Sequence, residues 1–358
     1  MSFTERITRR NSLTSLVAIM TRSKSLIVPF CLLTFFMASA PAKADATRYP
    51  LTIENCGVEV TFNKAPKRAV ALGQNSAEIL LMLGLEDRVK ASAFWPTQVL
   101  PELAKANEKV KLLTVEKPTL ESILAEEPDF VVAQLPLLLG PDSKVAKRED
   151  FASLGIPSYL SPGICNTRKD TNDIYGSREK LWNMDLLYQE IDELSRIFDV
   201  SDRGQQIIST FKQREAALRE RFKPNPDLSF LFWFSSASAA DNAYLGGKNG
   251  ASGFIADLLG GHNAITTEAE WPTVSWEGII SAKPTVIVAA SLDRNRWDLD
   301  KAENKIAFLK NDPSVQLMDA VRKNHIVTMN GAAMNPTLRT IYGAEEIAVQ
   351  LEELGLDK

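Results

Sequence analysis

The sequence predicts an α/β protein of two similar lobes, and three observations carry that prediction. One segment occurs twice: Thr119 to Val132 reads TLESILAEEPDFVV, and Ser275 to Val288, about 150 residues later, reads SWEGIISAKPTVIV. In each copy a Glu (Glu121, Glu277) opens a short amphipathic stretch, a Pro (Pro128, Pro284) closes it, and an apolar run follows. Proline ends helices and short apolar runs suit buried strands, so each copy reads helix, turn, strand. A second pair, Gly73 to Leu85 (GQNSAEILLMLGL) and Gly247 to Gly261 (GKNGASGFIADLLGG), is a Gly/Asn-rich turn entering a helix that stops at Gly. A repeat this long points to two lobes, since solenoid repeats are much shorter. The third observation is the alternation of strand and helix, which favours a mostly parallel sheet covered on both faces. Two lobes imply a cleft.

Residues 1–44 read as a cleavable export segment. Arg6, Arg9, Arg10, Arg22 and Lys24 precede an apolar run from Leu26 to Ala40, and Ala42-Lys43-Ala44 has the small-x-small pattern of a signal-peptidase site. Cleavage before Asp45 leaves about 314 residues and lowers the formal charge from -4 to about -9. An acidic chain with scattered basic residues does not suit nucleic acid, which needs a Lys/Arg stripe. Cys56 and Cys165 remain after cleavage, and in an oxidising compartment such a pair is expected to form a disulfide.

Residues 49 to 62 alternate apolar and polar around Cys56-Gly57, the pattern of a β-hairpin. Arg68 to Leu72, Val89 to Ala93, Phe130 to Ala133 and Ser158 to Leu160 read as strands of the first lobe. Asn75 to Leu83 reads as a helix, with Asn75 as N-cap and Glu78 completing a capping box. Met184, Leu187, Ile191, Leu194 and Phe198 mark an amphipathic helix. A longer one follows from Ser201 to Phe222, roughly 30 Å at 1.5 Å per residue. The second lobe opens with Leu228 to Phe234, and its last strand is Ile326 to Met329. A final helix spans Thr337 to Leu354.

Ligands of open parallel sheets bind beyond the carboxyl ends of the strands. The residues expected there are Trp95, Gln134, Arg168, Trp233, Tyr244, Arg294, Arg296, Trp297 and Arg339. Guanidinium forks and aromatic faces suit a large, partly planar, anionic ligand. Competing readings stand beside this one: a Trp in such a loop also serves as a wedge, and Arg294 and Arg296 also suit a solvated face. His262 and His325 fall at the other end of the strands, so neither a metal site nor a Ser-His-Asp set is expected. No cofactor and no enzymatic activity are expected.

The run of KRAVALGQNSAEILLMLGLEDRV, TLESILAEEPDFVV, FASLGIPSYL, LLGGHNAI and VSWEGIISAKPTVIV resembles the periplasmic substrate-binding proteins of iron-siderophore, haem and cobalamin ABC importers. The resemblance covers nearly the whole chain after residue 44. It implies two Rossmann-like lobes, each a mostly parallel sheet with flanking helices, joined by one long spine helix: the class III periplasmic binding protein arrangement. The implied boundaries are a signal peptide at 1–44, a first lobe at 45–200, a spine at 201–223 and a second lobe at 224–358. It further implies a monomer in the periplasm that carries a ferric siderophore, or else cobalamin, haem or another large anionic cofactor. Tyr244 is the candidate axial ligand in the haem case. The partner implied is an inner-membrane permease dimer with its cytoplasmic ATPase. By position, Glu121 and Glu277 match the two carboxylates that dock into arginine pockets on such permeases. The alternative is that each serves its own helix N-terminus.

Overall fold

The structure, a computed structural model, describes residues 45–165, 177–294 and 296–357. The expected signal peptide and Arg168 lie outside these residues. The chain opens with an antiparallel hairpin, β1 (Leu51–Asn55) and β2 (Val58–Phe62), turning at Cys56-Gly57. Cys56 is disulfide-bonded to Cys165, with Cα atoms 5.6 Å apart, so the turn is tied to the short helix Pro162–Cys165.

Five strands follow: β3 (Ala69–Leu72), β4 (Val89–Ala93), β5 (Lys111–Thr114), β6 (Phe130–Ala133) and β7 (Ser158–Leu160). They form one all-parallel sheet in the order β5-β4-β3-β6-β7. The strands β3, β6 and β7 are buried at every position, which is why they read as continuous apolar runs. The chain starts in the middle of the sheet and winds outward both ways, so the order reverses between β3 and β6. Gly73 sits at that reversal with φ 109°, and a Cβ there would lie 2.5 Å from Cβ of Gln134. Glycine alone fits this position.

The second sheet runs β11-β9-β8-β12-β13, with β10 also beside β8. Its members are β8 (Ser229–Ser235), β9 (Ala243–Leu245), β10 (His262–Asn263), β11 (Thr273–Val274), β12 (Val286–Ser291) and β13 (Ile326–Asn330). The pairs β8–β12, β12–β13 and β8–β10 are parallel, whereas β9 is antiparallel to both β8 and β11. This antiparallel edge lies at the carboxyl end of β8, where Ser235 faces Tyr244.

Between the sheets in sequence come the helices Asp185–Ile197 and Ser201–Arg221. The second of these buries Ile207, Ile208, Phe211 and Leu218 along one face. Each such side chain contributes roughly 1.5–3 kcal/mol by leaving water. Its polar side is fastened to both lobes. Arg203 donates to the Met82 carbonyl at 2.8 Å, and Arg214 forms a two-pronged pair with Glu345 at 2.8 and 2.5 Å. The long helix is therefore a strut held at both ends.

Residues 177–182, read from sequence as first-lobe chain, lie against the second lobe. The Arg178 amide donates to Glu268 O at 3.0 Å and the Trp182 amide to Asn249 O at 2.8 Å. The Arg178 guanidinium, fully buried, pairs with Glu270 at 2.9 Å and also donates to Gly163 O at 2.9 Å. Trp182 packs edge-on to Phe254, with centroids 5.4 Å apart.

Candidate ligand-binding site

The first-lobe side of the cleft is made by the chain after β4. Phe94 takes φ +66°, a left-handed conformation uncommon for an aromatic residue and found mostly where a site over-determines the backbone. Its amide donates to Thr114 O and that of Trp95 to Val115 O, so the loop continues alongside β5 before it departs. A cavity of about 480 Å³ opens here, lined by Trp95, Thr97, Leu112 and Val115 from the first lobe and by Asp293 and Arg294 from the second. That volume is within the range of small-molecule sites. Leu112 and Val115 stay substantially exposed, giving the cavity an apolar rim.

An aromatic wall in the second lobe adjoins the cavity through Arg294. Tyr244 and Trp271 stack at 18° with centroids 5.7 Å apart, and Phe234 meets Trp271 edge-on at 4.8 Å. The Arg294 guanidinium lies 5.4 Å from both the Phe234 and Trp297 rings, and that of Arg296 lies 4.5 Å from Trp297. All four aromatic rings are partly exposed. Flat, half-exposed faces suit a large ligand with an apolar or π surface.

The loop that carries these groups is held from below by Asp300, which is fully buried. Its carboxylate accepts from Arg294 Nε and Nη2 at 3.2 and 3.1 Å, from the amides of Arg296 and Trp297 at 3.2 and 3.1 Å, and from Ser235 Oγ at 2.5 Å. Burial works to raise the Asp300 pKa, but the hydrogen bonds from Arg294 and Ser235 outweigh it and the carboxyl is held below its ordinary value.

Several expected site residues have other work. Trp233 is not at the cleft: it is fully buried, packed 4.9 Å from Trp276 and 5.7 Å from Phe308, with its Nε1 donating to Ser235 O and Ser236 Oγ. Side chains alternate along β8, so it is the neighbour, Phe234, that faces Tyr244 and Trp271. Gln134 is buried at the sheet reversal, where its Oε1 accepts the Asn75 amide at 3.0 Å. Arg339 reaches across the lobes to Glu78, with Nε 2.9 Å from Oε2, and Nη2 also donates to Gln98 O at 2.6 Å. Asn75 and Glu78 therefore form no capping box. The helix begins after Gly73 without a side-chain cap, and Asn75 Oδ1 accepts from Leu338 N at 2.9 Å. Trp271 was not anticipated, because it precedes an antiparallel edge strand instead of following a parallel one.

His262 faces the first residue of β8, and His325 Nδ1 lies 3.2 Å from Thr285 O, just before β12, so both are at the amino ends of the strands. Glu121 and Glu277 are both exposed in the first turns of helices Leu120–Leu124 and Trp276–Ala282, capped alike by Thr119 and Ser275. Each carboxyl is held below the usual range, first by the backbone amide at its helix start and then by that capping hydroxyl.

The sequence pattern typical of periplasmic binding proteins matches residues 70–333. The chain belongs to the periplasmic binding protein family. A vitamin B12-binding protein of Vibrio campbellii is 27% identical over 301 residues, covering 82% of this chain and 93% of that protein. A periplasmic binding protein from Veillonella parvula superposes with a TM-score of 0.70 at 21% identity, covering 86% of this chain and 98% of that one. An ABC-type Fe3+-hydroxamate transport system from Saccharomonospora viridis superposes with a TM-score of 0.65 at 24% identity, covering 86% and 99%. The fold is that of class III periplasmic binding proteins. Its family makes this chain a solute-binding protein and not an enzyme. No helix among the described residues is long and apolar enough to cross a membrane.

Proposed function

We propose that this periplasmic binding protein receives a large metal chelate of low net charge, with cobalamin the best fit, and delivers it to an inner-membrane ABC permease. One observation carries this reading: two of the guanidinium groups expected at the cleft, including the one that lines the cavity among the described residues, are already neutralised. Arg294 is paired with Asp300 and Arg339 with Glu78. The ionisable side chains lining the cavity among the described residues are Glu116, Asp293 and Arg294. A trianionic ferric tris-catecholate finds little compensation there, because desolvating its charge needs free donors. A corrinoid, bulky and carrying many amides, suits partly exposed aromatic faces and a few polar groups. The name of the Vibrio campbellii relative supports the same reading.

A second reading, a neutral ferric hydroxamate siderophore, is favoured by the compactness of the 480 Å³ cavity. Titrating tryptophan fluorescence with cyanocobalamin, a neutral ferric trihydroxamate, a ferric tris-catecholate and haemin separates them. Saturable quenching by cyanocobalamin is expected. Binding of the tris-catecholate in preference to both neutral chelates would overturn the low-charge reading.

The reading includes export by cleavage of residues 1–44 and docking through Glu121 and Glu277. Two exposed carboxylates on equivalent helices of the two lobes suit a two-fold permease.

A further inference from the structure

Asp300 does not line the cavity, yet it is bonded to a residue that does. We infer that Asp300 is a specificity-determining positioning residue: it neutralises Arg294 and fixes the Arg296 and Trp297 amides, so that the cavity meets the ligand without the Arg294 charge. The inference rests on the low-charge reading of the ligand.

The geometry has three parts. First, Asp300 accepts five hydrogen bonds, so its capacity is taken up by the protein. Second, those bonds reach two of the chain segments that carry the wall: Ser235 at the end of β8, next to Phe234, and the Arg294, Arg296 and Trp297 positions after β12. Third, the one guanidinium that lines the cavity among the described residues is the one Asp300 holds with two bonds. A charge-assisted, two-pronged pair of this kind fixes orientation as well as charge. Arg294 is thereby held beside the Phe234 and Trp297 rings.

Lys305 lies behind this arrangement, fully buried, with Nζ donating to Ala290 O at 2.6 Å. Burial pushes its amine down to about 7, so above neutral pH it is largely uncharged and leaves the Asp300 charge to Arg294.

Removing the Asp300 charge has an outcome that a purely structural residue would not produce. Asp300→Asn keeps the shape and leaves Arg294 uncompensated, making the wall more positive. Arg294→Gln leaves Asp300 uncompensated, making it more negative. The two changes push in opposite directions, whereas simple loosening pushes both the same way.

The test needs no ligand. Quenching of Trp297 fluorescence by iodide and by neutral acrylamide is measured at low salt, with Trp297→Phe as the subtraction. The iodide-to-acrylamide ratio is expected to rise about twofold in Asp300→Asn, to fall in Arg294→Gln, and to return near wild type in the double variant. Ratios that stay put in both single variants, or move together, overturn the inference. If Asp300→Asn does not fold, the direction of the Arg294→Gln shift decides: a fall supports it and no fall overturns it. In a parallel titration, Asp300→Asn is expected to shift preference from cyanocobalamin toward a ferric tris-catecholate by about tenfold. Failure of the wild type to bind either neutral chelate would sink the ligand reading, while the quenching ratio still judges Asp300.

Discussion

Glu78 and Arg339 join the two lobes at the back of the cleft, the carboxylate gripped by two guanidinium nitrogens and buried beneath them. The pair is embedded further, since Glu78 Oε1 also accepts from Gln74 Nε2 and from the Leu100 amide, each at 3.1 Å. Breaking a buried pair on one side leaves a charge uncompensated, at a cost of about 3–5 kcal/mol. Glu78→Gln is expected to lower unfolding stability by that order in urea titrations, and Glu78→Gln with Arg339→Met to recover part of the loss. Independent, additive effects of the two changes would refute the coupling.

The stacked wall separates ligand residues from core residues. Trp271→Ala is expected to weaken chelate binding about tenfold with little change in melting temperature. Trp233→Ala is expected to do the reverse, costing about 3–5 kcal/mol of stability by opening a cavity in the core. Calorimetric melting beside fluorescence titration distinguishes them, and equal loss of binding from Trp233→Ala with no loss of stability would refute the assignment.

Two buried groups give stability a pH dependence with opposite signs. Burial is the main cause that pushes Glu190 up to about 7, although Ser161 Oγ donates to it at 2.6 Å. The folded protein holds this proton longer than the unfolded chain does. Its contribution is therefore complete below the ordinary pKa of 4.5 and is lost as the pH rises toward 7. Lys305 is lowered from 10.5 to about 7, so its contribution is complete above 10.5 and is lost as the pH falls toward 7. Each pH unit over which the states differ by one proton is worth about 1.4 kcal/mol. Melting curves should show Glu190→Gln stabilising at pH 8 relative to pH 5, and Lys305→Met stabilising at pH 7 relative to pH 10. A flat difference for either variant would remove that group from the account.

Reduction of the Cys56–Cys165 bond frees the hairpin turn from the Pro162–Cys165 helix. Replacing both cysteines by Ser is expected to cost about 2–5 kcal/mol while leaving chelate affinity near wild type. Alkylation without reductant, followed by mass measurement of the chain lacking residues 1–44, should detect no labelled thiol.

Reversing both exposed carboxylates, Glu121→Arg with Glu277→Arg, is expected to abolish uptake in cells while leaving affinity in the purified protein unchanged. Normal transport by the double variant would reduce both to helix-start residues.

Strands buried on both faces were legible from sequence almost to the residue. Phe130–Ala133 and Ser158–Leu160 are where the sequence reading put them, because local composition alone defines such a strand. The cleft was less legible, for reasons that particular residues make plain. Asn75 and Glu78 satisfy the spacing of a local cap, yet their side chains answer to Leu338 and Arg339, about 260 residues away. A short-range pattern carries no information about such partners. Trp233 and Phe234 are adjacent and alike in composition, and the alternation along β8 sends them to opposite sides. Trp271 reaches the site through an antiparallel edge, which a rule about parallel strand ends overlooks.

The Ser177–Trp182 crossing bears on how this protein can be recombined. The long helix looks like the natural boundary at which to exchange a lobe with a relative. A chimera cut there would carry Arg178 and Trp182 from one parent and their Glu270, Asn249 and Phe254 partners from the other. The arginine would then be buried in a foreign pocket with no guarantee of a carboxylate. Working hybrids of this protein should be those in which residues 177–182 travel with the second lobe, although they lie on the first-lobe side of the sequence.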